Sequence, residues 1–110
     1  MRGNEFGVPF RGASVGVGTA AVTFPAATGR TYYVTDLDAG VDAAGGRVQI
    51  RDGSTAIWQN SLPVSGTNNG TYSRSFATPI SGTVGSALSV YVGTANTVSY
   101  VNVSGYWLPA

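Results

Sequence analysis

Residues 47–62 read RVQIRDGSTAIWQNSL, and this stretch decides the fold. Val48 and Ile50 alternate with charged and polar neighbours, a period of two that is typical of a strand with one buried face. Asp52-Gly53 follows at once, and an Asp-Gly pair between two alternating segments is a strong signal for a tight β-hairpin. The stretch therefore predicts two antiparallel strands joined by this turn.

Short segments of the same kind recur along the chain, separated by turns that contain glycine or proline. The 110 residues include 16 Gly and 5 Pro, and 6 Tyr, 4 Phe and 2 Trp accompany many Val and Thr. This composition favours strands over helices. Further strands are predicted at 19–25, 31–41, 71–77, 87–92 and 97–107. We therefore predict one all-β domain over residues 19–110, a β-sandwich or jelly roll of about seven to eight antiparallel strands.

The alternation also predicts which side chains share a face. In the strand at 31–41, one face carries Tyr33, Leu37 and Ala39. The other face carries Tyr32, Val34, Asp36 and Asp38. The inward side chains predicted for the last two strands are Leu88, Val90, Val92, Val101, Val103 and Trp107.

The first 18 residues lack this alternation. They contain five glycines and no sustained period, and glycine at such density opposes regular structure. We predict that residues 1–18 form an extended N-terminal arm outside the core, whose removal would leave the β domain folded. Its apolar and basic side chains are predicted to anchor the arm on a partner protein; they are Phe6, Val8, Pro9, Phe10 and Arg11.

The sequence contains no His and no Cys. Their absence excludes Ser-His-Asp and Cys-His triads, zinc sites with His or Cys ligands, iron–sulfur clusters and disulfides. The six basic residues are all Arg and are scattered, so no nucleic-acid partner is predicted. No apolar run approaches the length of a membrane span, so no membrane partner is predicted either. We expect a non-enzymatic protein that needs no cofactor.

The one acidic cluster consists of Asp36, Asp38 and Asp42. Its spacing resembles the start of a calcium loop, but Val41 stands where an EF-hand has Gly and Arg47 where it has Glu. We interpret the cluster as an exposed strand face, with a bound cation as the alternative, and expect chelators to leave the stability unchanged. No neighbouring group would raise one carboxyl pKa, which argues against a catalytic acid pair.

Two tyrosines are predicted to point outward. Tyr91 lies between valines that face the core, and Tyr100 precedes another such valine, so alternation turns both rings to the surface. Outward tyrosines are typical of a protein interface or of a platform that stacks on sugars. We favour a protein interface formed by Tyr91 and Tyr100. The alternative is a sugar-stacking platform formed by aromatic side chains, which are Trp58, Tyr72, Phe76, Tyr91, Tyr100, Tyr106 and Trp107.

From Val22 onward the sequence resembles short cement (decoration) proteins of tailed-phage capsids. The resemblance is carried by four segments in the order strand, hairpin, turn into a strand, and C-terminal strand. They read TFPAATGRTYYVTDLDAG, GRVQIRDGSTAIWQNSLP, FATPISGTVGSALSVYVG and VSYVNVSGYWLPA.

The resemblance implies a jelly-roll or β-sandwich virion protein without catalytic residues. Such a protein is made in the host cytoplasm, binds the major capsid protein on the capsid exterior, and stabilises the head. A homo-oligomer is expected, with a trimer favoured because it suits a local threefold axis. The alternative function is a receptor- or glycan-binding module of a phage tail or fibre. Glycan binding predicts an exposed aromatic platform with polar neighbours, whereas cement predicts aromatic rings at subunit contacts and an ordered arm.

Overall fold

The computed structural model describes residues 7–41, 46–62 and 70–109. The elements in chain order are β1 (Val8–Phe24), β2 (Arg30–Val41), β3 (Gly46–Asp52), β4 (Thr55–Leu62), β5 (Gly70–Ser81) and β6 (Leu88–Pro109). All the pairings between them are antiparallel. The described residues contain no helix, and hence none that could cross a membrane.

Two of the strands, β1 and β6, are long enough to run through two sheets. Sheet I has the order β5, β2, residues 99–109 of β6, and residues 8–16 of β1. Sheet II has the order β4, β3, residues 88–93 of β6, and residues 19–24 of β1. The register of the β1–β6 pair shifts between Gly16 and Thr19, where both strands pass from one sheet to the other.

Counting each half of β1 and β6 separately gives eight antiparallel strands in two four-stranded sheets. In chain order, sheet I combines strands 1, 8, 3 and 6, and sheet II combines strands 2, 7, 4 and 5. This connectivity is that of a jelly roll, built from two Greek keys. The predicted all-β sandwich of seven to eight strands is confirmed.

The core lies between the two sheets and is almost entirely apolar. The predicted inward faces of β3 and β6 are confirmed, because Val48, Ile50 and Val90 are fully buried. The same holds for Leu88, Val92, Val101 and Val103, and Trp107 packs against this cluster. At the edge of the sandwich opposite β1, Trp58 of β4 contacts Phe76 of β5 at a ring-centroid distance of 5.2 Å.

The predicted faces of β2 are wrong on the N-terminal side of Thr35. Both pairings of β2 change register between Val34 and Asp36, so Thr35 is a bulge residue. A bulge adds one residue to the strand and reverses the alternation beyond it. Tyr32 and Val34 therefore face the core together with the side chains that follow the bulge at Leu37, Ala39 and Val41.

The predicted arm is also wrong over residues 8–18. These residues belong to β1, and residues 8–16 pair with residues 99–107 of β6 along the edge of sheet I. A side-chain carbon at Gly12 would overlap Val22, because the two halves of β1 face each other across the sandwich. Glycine permits this close approach of strands, so its density here reflects packing. Phe6 lies outside the described residues.

Tight turns occur where the sequence places glycine. Gly53 has a φ of 63° and forms with Ser54 the two-residue loop of the β3–β4 hairpin, as predicted from Asp52-Gly53. Asp52 also holds the loop between β5 and β6, because its carboxylate accepts hydrogen bonds from the backbone N–H (3.1 Å) and the hydroxyl (2.5 Å) of Thr83.

Candidate binding site

A groove of about 530 Å³ runs across the outer face of sheet I. The register places two rows of side chains side by side in its floor. One row consists of Arg11, Ser104, Asp36 and Ser75, and the other of Ala13, Asn102, Asp38 and Ser73. Most of these side chains are short, so the floor lies lower than the larger side chains that flank it.

Tyrosines flank the floor at both ends along β6. Tyr106 stacks on Tyr33 of β2 at one end, with ring centroids 4.9 Å apart and an interplanar angle of 17°. Tyr100 stands at the other end and is opposite Gly40 of β2. Tyr106 follows Tyr100 by six positions along the strand, which corresponds to roughly 20 Å at the usual rise per residue.

The conformation of Tyr100 depends on Gly40. A side-chain carbon built at Gly40 would overlap the ring of Tyr100, so the ring lies directly over the backbone of β2. Burial raises the pKa of the Tyr100 phenol, and the nearby negative charge of Asp38 raises it further. The phenol is therefore protonated at neutral pH and able to donate a hydrogen bond.

Asp36 is held by hydroxyl groups from three strands. Its carboxylate accepts hydrogen bonds from Ser75 Oγ at 2.5 Å, Thr35 Oγ1 at 2.9 Å and Ser104 Oγ at 3.5 Å. These hydrogen bonds, that from Ser75 above all, lower the pKa of Asp36. Asp36 is thus an ionised acceptor at neutral pH, which is the opposite of what a catalytic acid requires.

Asp38 lies in the neighbouring row and is less constrained. Ser73 Oγ donates to its Oδ1 at 2.7 Å. Among the described residues, no group donates a hydrogen bond to the second carboxylate oxygen, Oδ2. The predicted acidic face of β2 is therefore present, with both carboxylates in the groove.

The structure does not assemble the alternative cation site from the residues it describes. Asp42 lies outside them, and no group of three acidic, His or Cys side chains occurs within 7–41, 46–62 and 70–109. Asp36 and Asp38 face serine and threonine hydroxyls, which donate hydrogen bonds to them. What remains is a pair of carboxylates arranged as hydrogen-bond acceptors.

The residues predicted as interface anchors in β1 fall into two groups. Phe10 turns inward and packs on Phe24, at a ring-centroid distance of 4.2 Å, and on Tyr32 at 5.9 Å. Pro9 and Arg11 are exposed, and Val8 is 36% exposed. Phe10 is therefore a partly buried residue that packs against the core, whereas the other three remain on the surface.

Tyr91 and Tyr100 do not form the single outward surface that was predicted. Both lie on β6, but Tyr91 belongs to the part in sheet II and Tyr100 to the part in sheet I. The two rings are therefore on opposite outer faces of the sandwich. Tyr91 is covered by the guanidinium of Arg51, which lies 4.2 Å from its ring centroid.

Sequence reasoning singled out Asp36, Asp38 and Tyr100 but did not bring them together with the rest of the groove. Tyr33 and Asn102 did not stand out as a site, and Tyr106 was considered only as one of several aromatic side chains. They lie far apart in the chain, and only the antiparallel pairing of β2 with β6 brings them to one face. The available signal is the run of alternating outward residues Tyr100, Asn102, Ser104 and Tyr106, in which small polar side chains are flanked by aromatic ones.

The sequence matches no protein-family profile and no curated protein. Among solved structures, part of the dimeric latent PorU of Porphyromonas gingivalis aligns with 94% of this chain at 13% identity and a TM-score of 0.50. This chain spans 13% of that PorU chain. The likeness is one of fold.

Two further structures align with lower TM-scores. One is the Stig cyclase Fisc from Fischerella sp. TAU, which covers 88% of this chain at 18% identity and a TM-score of 0.44; this chain spans 57% of the cyclase. The other is the virus-like particle of the extra small virus of the giant freshwater prawn Macrobrachium rosenbergii, with 93% of this chain and 80% of that chain covered, 12% identity and a TM-score of 0.41.

Proposed function

We propose that the protein is a non-enzymatic capsid cement protein, which binds the outside of the major capsid protein lattice and stabilises the head. The observation that carries this proposal is the position of β1. It is the last strand of both sheets, and its far edge faces no other strand among the described residues. A long strand edge of this kind is a template for pairing with another chain.

The side chains of β1 suit contact with a protein partner. Val15 is 74% exposed, and Val8, Pro9 and Arg11 are also at the surface of this strand. Strand addition provides affinity through backbone hydrogen bonds and specificity through alternate side chains. Because β1 runs through both sheets, a capsid strand paired with it would continue one or both of them.

The sequence resemblance supports the same partner. The segments that carry it include the β3–β4 hairpin and the loop from β5 to β6. A hydrogen bond from the backbone N–H of Thr83 to the Asp52 carboxylate joins this hairpin to this loop. They are determinants of the jelly roll, so this resemblance concerns the whole domain. The groove offers the ionised carboxylate of Asp36 as a hydrogen-bond acceptor, which fits binding rather than catalysis.

Cement function needs many equivalent contacts and no chemistry. Binding to the assembled state stabilises that state by mass action, and repeated sites on a symmetric lattice add avidity. We expect a homo-oligomer, with a trimer favoured because each copy would then contribute one β1 edge around a local threefold axis. Light scattering of the purified protein measures the number of copies.

Co-sedimentation with undecorated capsid shells tests the proposal. Val15→Lys places a charge on the β1 edge, and Val84→Lys makes the same change at a residue that is 54% exposed in the loop after β5. We expect the wild type and Val84→Lys to sediment with shells and Val15→Lys to bind about tenfold more weakly, since edge lysines oppose strand pairing. A wild-type protein that stays in the supernatant would overturn the proposal, and equal binding of the two variants would remove β1 as the contact.

A further inference from the structure

We propose that the groove on the outer face of sheet I is a binding site for a neutral oligosaccharide. The inference rests on the combination of tyrosine rings that flank the groove on both sides along β6 with carboxylate, amide and hydroxyl groups in its floor. It concerns the face of sheet I, whereas the proposed capsid contact concerns the β1 edge. The two proposals share Arg11 of β1 but are tested at different residues, Val15 for the capsid contact and Asp38 for the groove.

The floor is equipped to bind hydroxyl groups. Asp36 and Asp38 are acceptors, and the Asn102 side chain supplies an acceptor and a donor between them and β1. Hydrogen bonds to an ionised carboxylate are stronger than those between neutral groups. A site built to hydrogen-bond hydroxyls discriminates strongly against ligands that lack them, because its polar groups would be left unpaired.

The carboxylate in the first row is fixed before any ligand arrives. Hydroxyls of Ser75, Thr35 and Ser104 hold Asp36 in one orientation. Ser73 does the same for one oxygen of Asp38, and no group among the described residues donates to the other oxygen. Preorganised groups lose little conformational entropy on binding, which raises affinity.

The tyrosine rings that flank the floor supply apolar surfaces. The ring of Tyr100 is fixed over Gly40, and the rings of Tyr33 and Tyr106 fix each other by stacking. A pyranose ring carries C–H groups on its faces and hydroxyls at its rim. It can therefore contact a tyrosine ring with a face while its rim reaches the polar floor, which a purely apolar or purely charged ligand cannot do.

The distribution of charge selects a neutral ligand. Asp36 and Asp38 occupy the middle of the floor, whereas Arg11 lies on β1 at one margin. Arg74 lies on β5 at the other margin and reaches away toward Tyr72 and Phe76, with its guanidinium carbon 5.2 Å from the Phe76 ring centroid. Sialylated, sulfated or phosphorylated ligands would bring anions against two carboxylates at the centre of the groove.

The dimensions favour a chain of several sugar units over a single sugar. The volume of about 530 Å³ lies within the usual range of small-ligand sites. The floor crosses four strands, which corresponds to roughly 14 Å at the usual strand spacing, a length that one sugar ring does not fill. An open groove of this length accepts a linear ligand that lies across the strands.

The test begins with an array that carries neutral and anionic oligosaccharides. The strongest neutral ligand is then titrated in solution against the wild type, Tyr100→Ala and Asp38→Asn. Tyr91→Ala is the matched control, because Tyr91 is the corresponding outward tyrosine of β6 in sheet II. Thermal melting of each variant establishes that it is folded.

We expect binding of neutral oligosaccharides that weakens at least about tenfold in Tyr100→Ala and in Asp38→Asn, as loss of a stacking surface or a charge-assisted hydrogen bond implies. Tyr91→Ala should bind like the wild type. Absence of neutral ligands at millimolar concentration, preference for anionic glycans, or equal binding by Asp38→Asn would overturn the inference. Shell co-sedimentation by Asp38→Asn separates this result from the cement proposal, since that variant leaves the β1 edge intact.

Discussion

The ring of Tyr100 lies so close over Gly40 that no side chain larger than hydrogen fits beneath it. The two residues are directly opposite each other on β6 and β2, with Val15 of β1 on the other side of Tyr100. This pair fixes one end of the groove on sheet I. Even the addition of one methyl group at Gly40 should therefore alter this end of the groove.

Gly40→Ala is therefore expected to displace the Tyr100 ring. The added methyl group overlaps the ring, and overpacking of this kind costs about 1–3 kcal/mol of unfolding free energy. Chemical denaturation measures the loss. In a double-mutant cycle, Tyr100→Ala should remove most of the penalty, because the overlap then disappears. Additive effects of the two substitutions would mean that the ring does not rest on Gly40.

Phe10→Ala tests whether the first strand belongs to the core. Phe10 packs on Phe24 and Tyr32, so its truncation should lower the unfolding free energy by about 2–3 kcal/mol. Val8→Ala on the same strand should cost less than about 1 kcal/mol, because Val8 is 36% exposed. Deletion of residues 1–18 should unfold the domain. A deletion variant with a native melting curve would restore the interpretation of this segment as an arm.

Val90→Asp tests the predicted inward face of β6. Val90 is fully buried, and a charge without a partner at this position should cost about 3–5 kcal/mol or more. Val84→Asp makes the same change at a side chain that is 54% exposed, and should leave the melting temperature nearly unchanged. Similar melting curves for the two variants would contradict the register of β6.

The hydrogen bonds to Asp36 predict a dependence of stability on pH. Because they lower the pKa of Asp36 in the folded state, the stabilisation is present above the pKa of the unfolded chain, about 4, and is lost as the pH falls through the lower folded value. Denaturation at a series of pH values should show this loss for the wild type. The slope should be smaller in Asp36→Asn, and an unchanged slope would mean that Asp36 is not the group responsible.

Local sequence was enough to predict the hairpin and the inward faces of β3 and β6. Val48 and Ile50 alternate with polar residues, and Gly53 supplies the positive φ that the turn requires. These features depend on neighbours in sequence, which is why alternation and turn chemistry reveal them. The all-β class follows from their repetition along the chain.

The errors arose where structure depends on distant residues. Gly12 and Gly16 suggested flexibility, yet they lie in a strand whose partners are some ninety residues away in β6. Thr35 looked like any other residue of an alternating strand, and its role as a bulge is fixed by pairing with β5 and β6. The groove was missed for the same reason, because its rows cross four strands.

The measurement that tests the cement function most directly is the disruption temperature of undecorated capsid shells, determined with and without saturating protein. The account predicts that the wild type co-sediments with the shells and raises this temperature by several degrees, while Val15→Lys raises it less than Val84→Lys does. Binding stabilises only the state that is bound, so the shift should grow with protein concentration. Shells that fall apart at the same temperature at every protein concentration would contradict the account.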